Sequence, residues 1–201
     1  MKKLNSTHKK TPAKIEVIIM AALECFNELG FNGTGMNDIC ARGGTSVGSV
    51  YHHFKSKDQL AARVYIEGIK NYQSGYIEEL LKHNRPRDGI FAIVRYHINW
   101  VYSNRDWARF LFRMRHEDFM WAVEEEFAQL NKKFFDTVGT WFRKGIQAGE
   151  IRKMSPDMYP PVLMGPCQEF TRMLLEGKTF AKQETAASEL AESAWRAVKA
   201  V

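Results

Sequence analysis

Hydroxyls, imidazoles and ammonium groups crowd into the eighteen positions GGTSVGSVYHHFKSKDQL, from Gly43 to Leu60. Thr45, Ser46, Ser49 and Ser56 can donate and accept hydrogen bonds, Tyr51, His52 and His53 do so through a ring, and Lys55 and Lys57 add positive charge. Such groups hold phosphates and base edges; they do not by themselves break bonds. The chain carries no phosphate loop, no G-x-S-x-G elbow, no H-E-x-x-H pair and no dinucleotide fingerprint, so no catalytic residues and no enzyme are expected. Cys25, Cys40 and Cys167 are an odd number, widely spaced. They match neither a disulfide framework nor a paired-cysteine metal pattern, and Cys40 with His52 and His53 lacks a fourth ligand. No metal and no cofactor are expected, and the setting expected is reduced and cytoplasmic.

The elements that must position this cluster read as helices throughout, since no alternating strand pattern of useful length occurs. A first helix is expected from about Pro12 to Leu29, with Ile15, Ile18, Ala22, Cys25, Phe26 and Leu29 as its apolar stripe and Gly30 as a left-handed stop. A short helix from Met36 to about Arg42 ends at Gly43-Gly44, and another spans about Ser46 to His53. Ser56 and Gln59 then form a capping box that opens a long helix to about Leu81.

Two short helices around a glycine break, packed on a longer first helix, describe a helix-turn-helix unit whose second short helix enters the major groove of DNA. On that reading Thr45, Ser46, Val47 and Ser49 lead into the groove, and Gly48 permits close backbone approach. Tyr51, His52 and Lys57 hold phosphates. Packing at a helix end is the other reading of Tyr51 and His52; His53 reads as structural and Phe54 as core. The charge agrees with a DNA partner. The 29 basic and 23 acidic residues leave a net charge of +6, and Lys2, Lys3, Lys9, Lys10 and Lys14 put +5 of it on residues 1–14. Each lysine of such an arm can release condensed counterions from a duplex.

The stretch GFNGTGMNDICARGGTSVGSVYHHFKSKDQL, Gly30 to Leu60, resembles the DNA-binding signature of the TetR/AcrR family of bacterial transcriptional regulators. A Gly-aromatic turn, an Asp-Ile pair, Gly44 at the turn, Gly48, Tyr-His-His-Phe and Ser-Lys opening the fourth helix carry the likeness, which covers about residues 14 to 65. The resemblance implies a homodimer that binds an inverted-repeat operator through its N-terminal domains and is released by a small molecule held in the C-terminal domain. It puts Thr45, Ser46, Val47 and Ser49 on groove-facing positions, Tyr51, His52 and Lys57 on phosphates, and Thr34 and Asn37 where the second helix approaches the backbone. The chain also departs from the pattern. Gly35 stands where the family usually has a hydroxylated cap, so that helix start is weaker or is capped by Thr34. Val47 replaces a frequent lysine, a loss the five-lysine arm can offset. Thr45 replaces a common core valine, which leaves it open between a reader and a half-buried residue.

Beyond Gly89 the composition changes. Fourteen of the chain's 25 aromatic residues fall between Phe91 and Phe142. Helices are expected over about Gly89 to Ser103, Arg105 to Met114, His116 to Gln147, a Pro166-bearing segment after Tyr159, and Gln183 to Ala200. Pockets are mostly apolar with a few polar groups, so this region is the place for an effector. Trp100, Trp107, Phe110, Trp121 and Phe170 are aromatic candidates, and His97, Asn99, Gln168 and Arg172 are polar ones; core packing is the alternative for each aromatic. The stripe Ala187, Leu190, Ala191, Ala194, Trp195 and Val198 suits close helix approach, either in a homodimer contact made by the last two helices or inside the monomer. The longest apolar run, Val17 to Leu23, is seven residues, so no membrane span or signal peptide is expected.

The chain is thus expected to be all-α, with an arm and helix-turn-helix DNA-binding domain over 1–57 and a helical ligand-binding and dimerisation domain over 58–201. The function expected is a homodimeric repressor responsive to a small apolar or aromatic effector. A sequence-indifferent architectural DNA-binding protein and a hydrophobic-ligand module without DNA recognition are the alternatives.

Overall fold

A computed structural model describes the backbone of residues 10–114 and 118–200 and the side chains of residues 14–114 and 121–200. Nine α-helices occur among the described residues: α1 Lys10–Gly33, α2 Met36–Gly43, α3 Val47–His53, α4 Lys57–Leu81, α5 Pro86–Ser103, α6 Arg105–Met114, α7 Glu124–Gln147, α8 Tyr159–Leu175 and α9 Gln183–Val198. The described residues form no β-strand, only an isolated antiparallel bridge between Ile151 and Lys199. The fold is all-α, as expected. No described helix is long and apolar enough to cross a membrane.

Two compact units emerge: residues 1–68 with 106–125, and residues 69–105 with 126–201. The division falls inside α4. The first unit buries Ile18, Leu23, Phe26, Ile39, Val50, Phe54, Leu60 and Ile66, joined by Phe110 of α6. Phe26 and Phe110 stack with ring centroids 5.6 Å apart. The second unit is built around Leu80, Ile90, Ile93, Val94, Ile98, Trp141, Phe142, Leu163 and Cys167.

Several element ends differ from the sequence reading for local reasons. Helical geometry resumes briefly after Gly30, whose φ of 74° and ψ of 164° kink the chain before Gly33. The glycine takes the positive φ expected of it, but not the left-handed helical ψ. Before α7 the helix expected from His116 gives way to a 3₁₀ segment, Asp118–Val123, so that α7 starts at Glu124. Helix α5 begins three residues earlier than expected because Pro86 occupies its first turn, where a missing N–H costs nothing. Pro166 lies within α8, which continues through it. The small residues of α9 are buried in the monomer: Ala187, Ala191, Ala194 and Val198 join the core of the second unit, and α9 packs most extensively on α5.

Glycine lets bulky side chains lie on helices of the second unit. A Cβ built on Gly145 would come within 2.6 Å of Ile151 Cδ1, and one on Gly89 would enter the Trp141 ring. Gly89→Ala is therefore expected to lower unfolding stability by about 1–3 kcal/mol through overpacking, read from urea denaturation.

Candidate functional site

The reading head is built from the turn between α2 and α3. Gly44, at φ 56° and ψ 33°, adopts the left-handed conformation that ends α2, and the Thr45 N–H returns to the Cys40 carbonyl at 3.0 Å. One residue on, Ser46 caps α3: its Oγ accepts from the Ser49 N–H at 3.2 Å. The helix is then fastened from beneath by Val50, which is fully buried, and by Phe54. Its outer face consists of Ser46, Val47, Gly48, Tyr51 and His52, all exposed, with Ser49 half-buried. Val47 and Tyr51 retain 43% and 44% of their surface, large values for such side chains. A Cβ added to Gly48 would meet nothing within 4 Å, so its openness serves no packing need in the free protein.

The remaining sequence-predicted DNA residues fall into different surroundings. Asn37 is exposed on α2. Thr45 is half-buried, and its Oγ1 is buried without a hydrogen-bond partner, as suits a position where a core valine is common. Thr34 is only 2% exposed, and its hydroxyl lies 2.7 Å from the Gly30 carbonyl and 3.1 Å from that of Cys25. Thr34 therefore closes the end of α1 and does not cap α2. That cap is supplied by Asp38, whose carboxylate reaches back to the Gly35 N–H at 2.8 Å. Lys57 is half-buried and donates to the Phe31 and Thr34 carbonyls at 2.7 and 3.0 Å. Of the arm, Lys2, Lys3 and Lys9 lie outside the described residues, as does the side chain of Lys10; Lys14 is exposed.

Arg42, which the sequence reading did not single out, joins α2 to α1 through ion pairs to Glu28 at 2.5 Å and Glu24 at 3.1 Å. Its hydrogen bonds to these carboxylates raise the guanidinium pKa above its ordinary value and lower that of Glu28. The three side chains stay well solvated, which keeps the contribution of the pairs to stability small.

In the second unit a chain of uncharged polar groups crosses the interior. The Tyr72 hydroxyl lies 2.9 Å from His97 Nδ1, and His97 Nε2 lies 3.3 Å from Thr171 Oγ1. Thr171 directs its one hydroxyl proton to backbone carbonyls, including that of Cys167 at 3.0 Å. It must then accept from Nε2–H, which leaves Nδ1 bare to accept from Tyr72. His97 is accordingly neutral, and burial pushes its pKa down to about 4. Burial raises the Tyr72 and Tyr76 hydroxyls above their ordinary range, Tyr96 to about 12 and the Cys167 thiol to about 12. Trp100 stacks edge-on to Tyr72 at 5.2 Å and donates its indole N–H to Asn71 at 2.7 Å. Gln73, 8% exposed, donates to Asn131 at 2.8 Å, while its carbonyl oxygen is buried without a partner.

Of the predicted effector residues, His97 and Trp100 meet around Tyr72, and Phe170 packs against the same core. Gln168 and Asn99 are exposed, and Asn99 accepts from Gln183. Arg172 is engaged by Glu169 and Glu176 on its own helix. Trp107, Phe110 and Trp121 belong to the first unit. There Trp107 lies over Gly68, Phe110 is core and Trp121 is 68% exposed. Tyr72, Gln73 and Tyr76 went unnoticed in the sequence, where only their i, i+1, i+4 spacing on α4 marks them. Among the described residues no group of His, Cys, Asp and Glu could hold a metal.

A helix-turn-helix head on an otherwise helical chain defines a DNA-binding protein. Residues 18–64 match the tetR family of bacterial regulatory proteins, and residues 76–200 match the tetracyclin repressor-like C-terminal domain. The chain belongs to the TetR family: it is a DNA-binding transcriptional regulator and not an enzyme. It is similar in fold to a TetR-family regulator from Marinobacter aquaeolei VT8, with a TM-score of 0.83, 16% identity and coverage of 97% of this chain and all of that one. The transcriptional regulator FadR of Bacillus subtilis in complex with stearoyl-CoA superposes with a TM-score of 0.71 at 17% identity, over 90% of this chain and 95% of that one. In sequence, the chain is 19% identical over 145 residues to a fatty acid metabolism regulator protein of Bacillus subtilis, 72% of this chain and 74% of that protein.

Three outcomes are expected. Gly48→Ala should unfold no more easily than the wild type, because its Cβ meets open space and alanine favours helix, yet shift duplex DNA more weakly in mobility assays. Thr45→Val removes an orphaned hydroxyl and should raise stability by about 1 kcal/mol with DNA sequence preference unchanged; altered preference would make Thr45 a reader. His97 has a folded pKa below its ordinary 6.5, so its contribution is complete above pH 6.5 and is lost as pH falls towards 4. Unfolding stability should lose about 3 kcal/mol on this account over that window, and His97→Gln should flatten the dependence.

Proposed function

We propose that the protein is a homodimeric repressor that reads an inverted-repeat operator with α3 and leaves it when a small apolar effector occupies the C-terminal domain. The observation that carries the reading is the open face of α3, where Val47, Gly48, Tyr51 and His52 are exposed on a helix fastened from behind. On this proposal residues 1–57 are the DNA-binding head and 58–201 the effector and dimer domain, at work in the cytoplasm. Val47 and Ser49 approach base edges, Gly48 admits the backbone, and Tyr51, His52 and the lysines of residues 1–14 bind phosphates. Two such helices must lie roughly 34–36 Å apart, or a near multiple, to enter successive major grooves on one side of a duplex.

Dimerisation through α8 and α9 needs an apolar surface that the monomer does not use. The alanine stripe of α9 is already buried, so the proposal moves to half-buried Met173 of α8 and to the parts of Val162, Phe170 and Leu190 left exposed by their packing on the core. An apolar effector is supported by the absence of charge in the Tyr72–His97–Thr171 chain. The fold likeness to a regulator in complex with stearoyl-CoA supports an acyl chain as the apolar part of such an effector, not the charged CoA part.

Selection of bound sequences from random duplex DNA by the purified protein, at two salt concentrations, tests the whole reading. An enriched inverted repeat with fixed spacing is expected. Salt-sensitive binding without enrichment would replace it with architectural binding, and no binding with an effector module alone. Met173→Glu is expected to sediment as a monomer and to bind the enriched duplex at least tenfold more weakly, since each head then binds alone.

A further inference from the structure

The ammonium of Lys57 stands at the first residue of α4, where a lysine invites assignment to a DNA phosphate. Its surroundings indicate other work. Nζ donates to the Phe31 carbonyl at 2.7 Å and to the Thr34 carbonyl at 3.0 Å, residues 26 and 23 positions away in sequence. It also stands 4.6 Å from the centroid of the Phe31 ring. Both carbonyls lie in the link from α1 to α2, Phe31 where α1 ends beyond the Gly30 kink and Thr34 immediately before Gly35 at the start of α2. Thr34 is itself immobilised, since its hydroxyl is engaged with the Gly30 and Cys25 carbonyls. The side chain is half-buried, whereas the neighbouring Lys55 is exposed.

We propose that Lys57 is a positioning residue for DNA binding: its ammonium ties the first turn of α4 to the α1–α2 link, and so fixes where α2 and the recognition helix behind it are presented. It does not owe its effect to a phosphate. A charge donating to two carbonyls over an aromatic face has replaced part of its hydration with protein, and moving it onto a phosphate would break both bonds, leaving the Phe31 carbonyl only the long 3.4 Å contact from the Thr34 N–H. The tie also makes the link answer to α4. Any displacement of the first turn of α4 must carry Phe31 and Thr34 with it or break two charge-assisted hydrogen bonds.

This inference rests on the reading of α3 as the DNA-contacting helix, but its first test begins with the free protein. Lysine acylation mapped by mass spectrometry on the wild-type protein should modify Lys55 at least tenfold faster than Lys57, and adding sheared random-sequence duplex DNA should leave the Lys57 rate unchanged. Equal rates in the free protein, or protection of Lys57 that appears only with DNA, would overturn the proposal. Binding of the same DNA is then measured against salt. Lys57→Met should lower affinity by the same factor at every salt concentration, giving a parallel log–log line, and Lys57→Arg should recover most of the loss. A salt slope reduced by about one unit would show a lost phosphate contact and overturn it.

Discussion

A helix of seven residues has no stability of its own in water, because nucleation costs more than two turns can return. The recognition helix Val47–His53 is of that length, so everything it does depends on how it is held. Four devices hold it: the left-handed Gly44 that aims the chain, the Ser46 cap, the buried Val50, and Phe54 in the core immediately after it. Apart from the Ser46 cap, none of them uses the outward face. Val47 and Tyr51 share a stripe at i, i+4 and stay exposed; Val50, which borders that stripe, is fully buried, and Phe54, the extended residue that ends the helix, lies in the core.

The second unit solves a different problem. Its interior is crowded with bulky side chains, some of which lie closer to a helix than a Cβ would allow. Gly75, Gly89 and Gly145 provide flat places on α4, α5 and α7 for Tyr96, Trp141 and Ile151. Tyrosine, tryptophan and histidine bring polar atoms with them, and each buried one must be matched. The Tyr72–His97–Thr171 chain, the Trp141 indole on the His83 carbonyl and the Tyr96 hydroxyl on the Tyr72 carbonyl do this without any ionised group. Among the described residues of this unit the unpaired oxygen of Gln73 is the exception, and it sits one residue from Tyr72.

What the sequence made legible follows from the range of the interactions involved. Gly44 at the turn, Ser46 as cap and the bounds of α2 and α3 were readable because turns and caps are decided within a few residues. The Ser56 cap of α4 was readable for the same reason; its oxygen accepts from the Gln59 N–H at 3.1 Å, although Gln59 reaches back to Lys55 and not to Ser56. The contacts of Thr34 and Lys57 were not readable, since their partners are set by how α1 and α4 pack. The stripe on α9 was correctly seen as a close-packing surface, but a pattern of alanines cannot say which helix it meets, and α5 takes it. Trp107 and Phe110 were grouped with the later aromatics by position in the chain, whereas they belong with residues 1–68.

Control of DNA affinity by an effector can work only through a difference in its affinity for two arrangements of the protein. One way would be to deform the head itself. Against this stands the density of ties inside it: Lys57 to the α1–α2 link, Thr34 to α1, Arg42 to Glu24 and Glu28, and the Gly44 closure, each linking different elements or turns. Deforming the head would break several of these at once, whereas shifting an intact head breaks none. In a dimer whose two heads must meet successive major grooves, a change in head spacing is enough to abolish simultaneous binding. Under the proposed function, the ties within the head favour a change of spacing over a change of its shape, with Lys57 holding the first turn of α4 to the head.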